Sequence, residues 1–491
     1  MIYKYRIKNE IMVGISFILI FSALIPAGIS SNQVTFLDEP PGIVWSKTYG
    51  GVNADDAMSV QQTFDGGYIV AGSTESYGAG DWDAWLIKTD GEGNELWNKT
   101  YGGIYEDIAD CVIETSDGGY AVAGYTEYSG GKYELWIIKT DENGTEVWSK
   151  NYRNGDKVFG NCIIETEQGY VVVGYANDDA WLVGIDENGE MIWNSTFGGI
   201  KPDWGNAVIH DDNGGYVIVG TTYSFGYGHS DIWFVKTNET GGELWNKTFG
   251  GAGDDIGQDI IQTNDGGFAV TGGITTSGGW KHMCLIKTDE NGSESWGKIY
   301  ETNDTDCAYS LIQTVDGDYL IAGNTISFDP EIADALVIKA DENGNEVWNV
   351  SFGGEEYNAA ISIVQSNDGG FITAGKYSND AWLVKIGYIP TVTITKPKNG
   401  LYFMNFFIRP YLFRSPLIIG PIDVEVEVVD HKYEIEKVEF YVNDELMAIE
   451  TSEPYGLRWN EMAFGRYEVK VVAYNSNGYT GVDEIRVWKF F

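Results

Sequence analysis

Apolar and polar positions in this chain alternate in short runs, and the runs come in fours. Between residues 57 and 101 they read AMSVQQT, YIVAGST, DAWLIKT and ELWNKTY. Each is rich in β-branched and aromatic residues and bounded by Gly or Asp clusters, which is the pattern of a half-buried strand. Phe64-Asp65-Gly66-Gly67 separates the first two runs and Asp90-Gly91-Glu92-Gly93-Asn94 the last two. Both turns offer glycines where a tight hairpin needs positive φ. A polar loop running to about Asp83 joins the second run to the third. No stretch inside the repeats sustains a 3.6-residue period. The unit is four antiparallel strands.

The unit recurs. Its fourth-strand Trp stands at 45, 97, 148, 193, 245, 296 and 348, with gaps of 52, 51, 45, 52, 51 and 52 residues. A period near 50 marks an array whose units bury their apolar faces against one another. Four strands per unit around an axis predict an all-β, seven-bladed β-propeller. The chain enters on a lone Trp strand, Ile43–Tyr49, and leaves the array after a third strand, Ala381–Ile386. Pairing the two closes the propeller with the N-terminal strand and removes both sheet edges; an open solenoid is the alternative. The fourth-strand Trps form one column. Trp85, Trp136, Trp181, Trp233 and Trp382 form another on the third strands, with Cys284 and Leu336 in the remaining blades. Columns at fixed positions imply packing between blades, about 2–3 kcal/mol of burial per ring.

At Tyr388-Ile389-Pro390 the repeat stops. TVTITKP, DVEVEVVD, KVEFYVND, ELMAIE, RYEVKVVAY and DEIRVWKF follow, with turns such as Asn475-Ser476-Asn477-Gly478. Six or seven alternating strands in about 100 residues predict a β-sandwich. At the other end, Lys4, Arg6 and Lys8 precede an apolar run from Ile11 to Pro26 and the small residues Ala27, Gly28 and Ser30. This is the pattern of a secretory signal cleaved near 27–31, with an uncleaved anchor as the alternative. The expected partition is a signal peptide over 1–30, a linker over 31–42, the propeller over 43–387 and an immunoglobulin-like β-sandwich over 388–491.

VEFYVNDEL, EPYGLRW, GRYEVKVVAYNSNG and EIRVW resemble the immunoglobulin-like domains of exported bacterial and archaeal proteins. The resemblance covers roughly 390–491 and implies a spacer or adhesive module without an active site. DAWLIKT, KTYGG and DGGYIVAG resemble the seven-bladed propeller repeats of microbial, archaeal-type secreted and cell-surface proteins, over about 43–387. Asp186, Gly189 and Trp193 are similar to the tryptophan-docking motif of quinoprotein dehydrogenases. The turn is one residue shorter here and that family usually has eight blades, so its redox chemistry is not carried over.

Composition narrows the partners. Against 31 basic residues stand 73 acidic ones, a net charge of −42. Nucleic acid is disfavoured, and a soluble surface protein in a salty or calcium-bearing medium is favoured. Secretion or cell-surface display fits the sequons at Asn98, Asn143, Asn194, Asn238, Asn246, Asn291, Asn303 and Asn349, which would make a glycoprotein. Cys111 and Cys162 occupy equivalent positions on neighbouring inner strands, so symmetry is expected to turn their side chains the same way rather than toward each other. Cys284 and Cys307 have no evident partners. Residues 389–422 reverse the local charge, with Lys396, Lys398, Arg409 and Arg414 and no acid around LYFMNFFIRPYLF. Its aromatics either pack inward or against the last blade, or form an envelope or membrane-surface contact through 399–422.

Variable chemistry is expected on the face that carries the interblade and second-to-third-strand loops. An Asp column precedes the inner strands: Asp55, Asp107, Asp203, Asp255 and Asp306, with Asn358 and Val158 in the other two blades. These residues either cap the interblade turn or form a carboxylate ring for a hard cation, Ca²⁺. Tyr77, Trp82, Tyr128, Tyr227 and Trp280 in the longer loops are the candidate ligand-binding rings, with Tyr133, Tyr223, Phe225 and Phe328 beside them. Rings next to Asp and Asn suit a sugar; the alternative is that they wedge between blades. The loops of blades three and seven are short, which predicts two notches and a groove across the face. Gln62, Glu114, Glu165, His210, Gln262, Gln313 and Gln365 repeat around the inner strands and suggest an interblade hydrogen-bond network. The four histidines lack metal-ligand spacing, no catalytic motif stands out, and no catalytic residue is assigned. A glycosidase needs only two carboxylates, which this acidic chain does not exclude. The expected function is an exported, non-catalytic binding or adhesion protein for an extracellular glycan, surface polymer or surface protein. The alternatives are an extracellular polysaccharide-acting enzyme and a structural envelope component.

Overall fold

The computed structural model describes residues 40–301, 305–326, 332–354, 356–409, 415–430 and 432–491. The expected signal peptide and most of the linker, together with Asn303, Phe328, Arg414 and His431, lie outside the described residues. Within them the chain is all-β, and no helix is long and apolar enough to cross a membrane.

Seven four-stranded antiparallel sheets come first. Sheet one runs Asp55–Gln62, Tyr68–Thr74, Asp83–Thr89 and Glu95–Tyr101, in spatial as in chain order. Sheets two to six repeat it, their first strands being Asp107–Glu114, Val158–Thr166, Asp203–His210, Ile256–Gln262 and Thr305–Gln313. Sheet seven takes Asn358–Gln365, Phe371–Tyr377 and Asp380–Gly387 from the end of the array and Gly42–Tyr49 from its beginning, with Trp45 in register with Lys385. No sheet closes on itself. The packing between sheets is cyclic: each first strand lies against the first and second strands of the preceding sheet, and sheet one lies against sheet seven. There the Asp55 N–H donates to the Asn379 carbonyl at 2.6 Å and Lys376 pairs with Asp56 at 2.7 Å.

One contact holds neighbouring sheets in step. In six of the seven sheets the fourth-strand Trp lies on the glycine of the next sheet's last turn: Trp45 on Gly93, Trp97 on Gly144, Trp148 on Gly189, Trp193 on Gly241, Trp245 on Gly292 and Trp296 on Gly344. These glycines have φ between 69° and 77°, a region that costs an L-residue roughly 1–2 kcal/mol. A Cβ on Gly144 would stand 2.7 Å from the Trp97 ring. The aromatic residue four positions after the Trp completes the lock, with Tyr49, Tyr101 and Tyr152 donating their hydroxyls to the carbonyls of Gly93, Gly144 and Gly189 at 2.5–2.6 Å. Trp348 has no such turn to meet, because sheet seven takes its fourth strand from the beginning of the array. It is buried instead in a cluster with Tyr388 and Tyr433.

Within a sheet, a third-strand Lys reaches across to the Asp of the first turn. Lys88–Asp65, Lys139–Asp117, Lys287–Asp265 and Lys385–Asp368 span 2.6–3.0 Å, and Lys236–Asp211 and Lys339–Asp318 repeat the pair. Sheet three has Gly184 at the Lys position, and the Trp193 indole fills the space. On the same face, Gln62, Glu114, Glu165, Gln262 and Gln313 accept turn N–H groups of the preceding sheet, those of Asn367, Phe64, Ser116, Asp212 and Asn264. His210 faces Glu239 instead.

Every first strand carries a bulge, between Ala57 and Ser59, Ala109 and Cys111, Gly160 and Cys162, and their counterparts. The residue after the bulge reaches sideways to the next first strand: the Ser59, Ser310 and Ser362 hydroxyls accept from the N–H groups of Val112, Ile363 and Val60 at 3.2–3.3 Å. The cysteines keep this direction: the Cys162 thiol turns onward to the Val208 carbonyl of the next first strand, so the two side chains point the same way around the array, as expected. All four cysteines are free thiols.

Residues from Thr391 onward form a three-stranded sheet packed on a seven-stranded one around Phe440, Trp459, Val469 and Val471. The Asn477 amide donates to the Asp368 carbonyl at 2.7 Å, and Tyr433 and Tyr479 lie over Gly369 and Gly370, so this end of the sandwich sits on the first turn of sheet seven. The hairpin of Leu401–Phe403 and Phe406–Arg409 packs inward only through Tyr402; Phe403, Met404, Phe406, Phe407 and Ile408 are exposed.

The Trp–Gly lock predicts a graded response in denaturant. Gly144→Ala should cost about 2–4 kcal/mol, from backbone strain plus displacement of Trp97. Gly118→Ala, at a φ of 83° with open space around it, should cost only the strain, about 1 kcal/mol. Equal losses in urea unfolding would remove the Trp contact from the account.

Candidate functional site

The loop face is built from the seams between sheets. At five of the seven seams a Tyr/Phe-Gly-Gly motif occurs, and its first Gly is bare because carboxylates occupy the space. A Cβ on Gly50 would stand 2.5 Å from Asp55 Oδ2 and 2.8 Å from Asp380 Oδ1. The second Gly donates its N–H to the Asp column: Gly51 to Asp55, Gly103 to Asp107, Gly199 to Asp203 and Gly251 to Asp255, at 2.5–2.8 Å. The other oxygen of Asp55 and of Asp203 accepts from Thr74 and Thr222. The five expected metal ligands therefore stand one per seam and buried, four of them as caps. Asp306 faces His282 at 3.3 Å. Among the described residues no group of three or more His, Cys, Asp or Glu gathers to hold a metal ion.

Each seam also receives an acid or its replacement from the preceding third strand. Four seams put two carboxylates together: Asp83 with Asp107, Asp179 with Asp203, Asp231 with Asp255, and Asp380 with Asp55. Burial, with the facing carboxylate adding to it, raises the pKa of Asp107, Asp179, Asp231 and Asp380. The other seams are relieved. His282 meets Asp306, and Asp334 meets the neutral Asn358. Glu134 is paired with Arg153 where Val158 interrupts the column.

The loop aromatics stand apart from one another. Tyr77 leans on Trp85 with ring centres 5.7 Å apart and donates its hydroxyl to the Gly50 carbonyl, so it serves the seam. Trp82 is half-buried and its carbonyl accepts from the Asp107 N–H. Tyr128 lies under the Arg153 guanidinium at 4.5 Å. Tyr227 is 88% exposed and Trp280 47%. Phe225 stacks near Trp233, 5.8 Å away.

A continuous aromatic strip lies inside these loops, and sequence reasoning placed only Tyr133 and Tyr223 of it on this face. Tyr125 meets Tyr133 at 5.5 Å and Phe159 at 4.7 Å. Phe159 stacks on Tyr175 at 4.6 Å, Tyr175 meets Trp204 at 5.8 Å, Trp204 meets Tyr223 at 5.4 Å, and Tyr223 meets His229 at 5.5 Å. The strip crosses sheets two, three and four at the loop ends of their strands, and its tyrosines, Phe159 and Trp204 are half-buried. In sheet three the bounding loop shrinks to the two-residue turn Asn177-Asp178, with φ of 48° and 78°. Sheet seven has the matching short turn at Ser378-Asn379. The strip therefore lies at one of the two low points of the loop lengths.

The first strands also carry two half-buried carboxylates, Asp110 and Asp259. Asp110 is the extra residue of the bulge in sheet two. Burial, reinforced by the Glu106 charge, pushes its carboxyl up to about 7. Burial likewise pushes Asp259 up to about 6, against the donors Leu311 and Ile260. Glu106 accepts from the Tyr125 hydroxyl at 2.7 Å.

With this geometry in place, comparison with known proteins adds one firm point. Residues 390–471 match the bacterial Ig domain family. No curated protein matches the chain. Among solved structures, the fibronectin(III)-like modules of Clostridium thermocellum CbhA are 26% identical, with 20% of this chain and 96% of theirs covered at a TM-score of 0.16. The extracellular domain of a B. thetaiotaomicron protein assigned as a hybrid two component system is 9% identical, with 92% of this chain and 60% of that one covered at a TM-score of 0.39. Sqt1 from Chaetomium thermophilum is 11% identical, with 70% and 98% covered at 0.42. At such scores none of them assigns an activity.

The seams give a pH dependence with two opposing slopes. Where folding raises a carboxyl pKa, as at Asp380 and Asp179, stability is greatest when the group is protonated and is lost as pH rises through its elevated range. The turn aspartates run the other way. Burial opposes, but hydrogen bonds from Thr63, Lys88 and Gly67 hold Asp65 at about 2, so its contribution is lost as pH falls from about 4 toward 2. Asp179→Asn with Asp380→Asn should stabilise the protein at pH 7, by about 1 kcal/mol in total, and the gain should vanish near pH 3.5 in parallel thermal melts. A gain independent of pH would exclude carboxylate repulsion as its source.

Proposed function

We propose that the seven sheets are the blades of a β-propeller closed by the N-terminal strand, and that its loop face binds an extracellular glycan without acting on it. The cyclic packing and the shared last sheet support the architecture. The observation that carries the function is the strip from Tyr133 through Phe159, Tyr175 and Trp204 to Tyr223. Half-buried rings in an unbroken row offer apolar faces at sugar spacing, and Glu106 and Asp178 beside them offer acceptors for hydroxyls. The low turns of sheets three and seven suggest a groove across the face through which an extended polymer would run. Tyr227 and Trp280 extend the surface outward. The matched Ig domain and the signal-like sequence at residues 1–30 support export and display at a cell surface, in an adhesive role.

Affinity electrophoresis on a panel of neutral polysaccharides tests this reading. Trp204→Ala and Phe159→Ala should each weaken retardation about tenfold, on the order of 1–1.5 kcal/mol per ring. Phe64→Ala, an 80% exposed ring on the opposite face, should leave it unchanged. A second reading, a polysaccharide-acting enzyme, is favoured by Asp110, whose carboxyl is half protonated near neutrality as a general acid requires. Release of reducing ends from a retarded polymer, lost in Asp110→Asn, would establish that reading instead.

The sandwich suggests a separate contact. Its strand Phe464–Asn475 runs 12 residues from the junction with sheet seven, about 3.3 Å per residue or roughly 40 Å. At the far end Met462, Phe464 and Phe491 are exposed, as are the hairpin residues Phe403 to Ile408 apart from Asn405. Exposed Lys398 and Arg466 flank them. Apolar rings beside cations in an otherwise acidic chain fit an anionic membrane surface. Co-sedimentation with phosphatidylglycerol vesicles should drop at least fivefold in Phe406→Ser/Phe407→Ser, and absence of binding by the unaltered protein would end the proposal.

A further inference from the structure

Resting on the glycan reading above, we infer that the strip and Asp110 together form a site for an amine-bearing saccharide, a polymer of hexosamine with free amino groups. The argument starts from the bulge. Its extra residue is released from the ladder and occurs in every sheet: Met58, Asp110, Asn161, Asn206, Gln258, Tyr309 and Ile361. Asp110 is the one acid in this series. The amides of Asn161 and Asn206 are engaged by the carbonyls of Gly205 and Gly257 at 2.8 and 2.7 Å. Asp110 has no hydrogen bond or ion pair among the described residues, yet it is only half-buried, so a ligand can reach it.

Its surroundings are acidic and aromatic. Glu106 lies close enough for its charge to act on Asp110, and the neutral Tyr125 and Tyr175 side chains lie near both. Cys111, a free thiol, follows it in the strand. Three cations of this side are engaged elsewhere: Lys132 with Asp156 at 2.9 Å, Arg153 with Glu134, and His229 with Asp254 at 2.6 Å. Lys157 stands at the outer rim beside Tyr133. A protonated amine would supply the missing counter-ion of Asp110 and Glu106 and lie against the aromatic faces, where cation–π attraction adds to the pairing. A neutral sugar makes only the stacking contact, and a uronic acid is repelled. Because Asp110 is half protonated near neutrality without a ligand, binding should release a proton, and affinity should rise with pH until the amine itself deprotonates.

Calorimetric titration of the whole protein with glucosamine oligomers and with fully N-acetylated oligomers of equal length tests the inference. The free-amine series should bind at least tenfold tighter at pH 6.5, and Asp110→Asn should abolish the preference. Folding of that variant is secured by Asn161 and Asn206, which already place Asn at the same bulge position. Equal affinity for both series, or a preference that survives in Asp110→Asn, overturns the inference while leaving the glycan reading in place. Failure of both series, and of the neutral polysaccharides, overturns the two together.

Discussion

The packing of a Trp ring on a bare glycine one sheet further on is the constraint from which the rest of the array follows. It needs a residue without a Cβ in a left-handed turn, a large flat ring at one fixed position of the fourth strand, and an aromatic residue four places later. Those requirements are what the repeat spells out. The lock acts between sheets, so no sheet is satisfied alone, and a sheet at the end of a row would leave an indole uncovered. Sheet seven meets this problem in a different way. Having taken its last strand from the beginning of the array, it has no turn to offer Trp348, which is buried instead in a cluster that includes Tyr388, with Tyr433 packed against it. The sandwich is thereby seated where the repeat is incomplete.

Charge is organised with equal economy. Six of the 31 basic residues are placed inside the sheets, each tying a third strand to the first turn. The seams on the other face receive little cationic relief, and four of them hold facing carboxylates. The exceptions are compensated locally: His282 opposite Asp306, Asn358 opposite Asp334, Arg153 beside Glu134. Val158 and Arg153 change together, one removing an acid and the other neutralising its neighbour, as expected if the seam rather than the single residue is the unit that must balance.

Much of the strand order was legible because period-2 runs, Gly-Asp turns and a fixed Trp spacing are local signals. The pairing of Ile43–Tyr49 with the strand of Trp382 was legible from the offset between two repeat series. The strip was not. Phe159, Tyr175 and Trp204 sit within strands, where an aromatic residue reads as core, and only their place at the loop end of the strand separates them from the buried columns. The signal was comparative: the position after the Asp cap is Asp56, Ile108, Ile256, Cys307 or Ala359 in five sheets and aromatic in sheets three and four. The bulge was invisible too, since an extra residue in a strand leaves no compositional mark. Missing it hid Asp110. The absent Lys of sheet three was readable as Gly184, but its meaning required knowing what the other six lysines hold.

The strand that completes the last sheet has a consequence for the order of events in synthesis. Gly42–Tyr49 is among the first parts of the array to be made, and its partner Asp380–Gly387 comes more than three hundred residues later. Until then the earliest strand is an open edge, and every sheet between must be in place before the two ends can meet across so large a loop. A nascent chain would therefore carry an unsatisfied β-edge through most of its elongation, and its final hydrogen-bond ladder would form only after the last sheet had emerged.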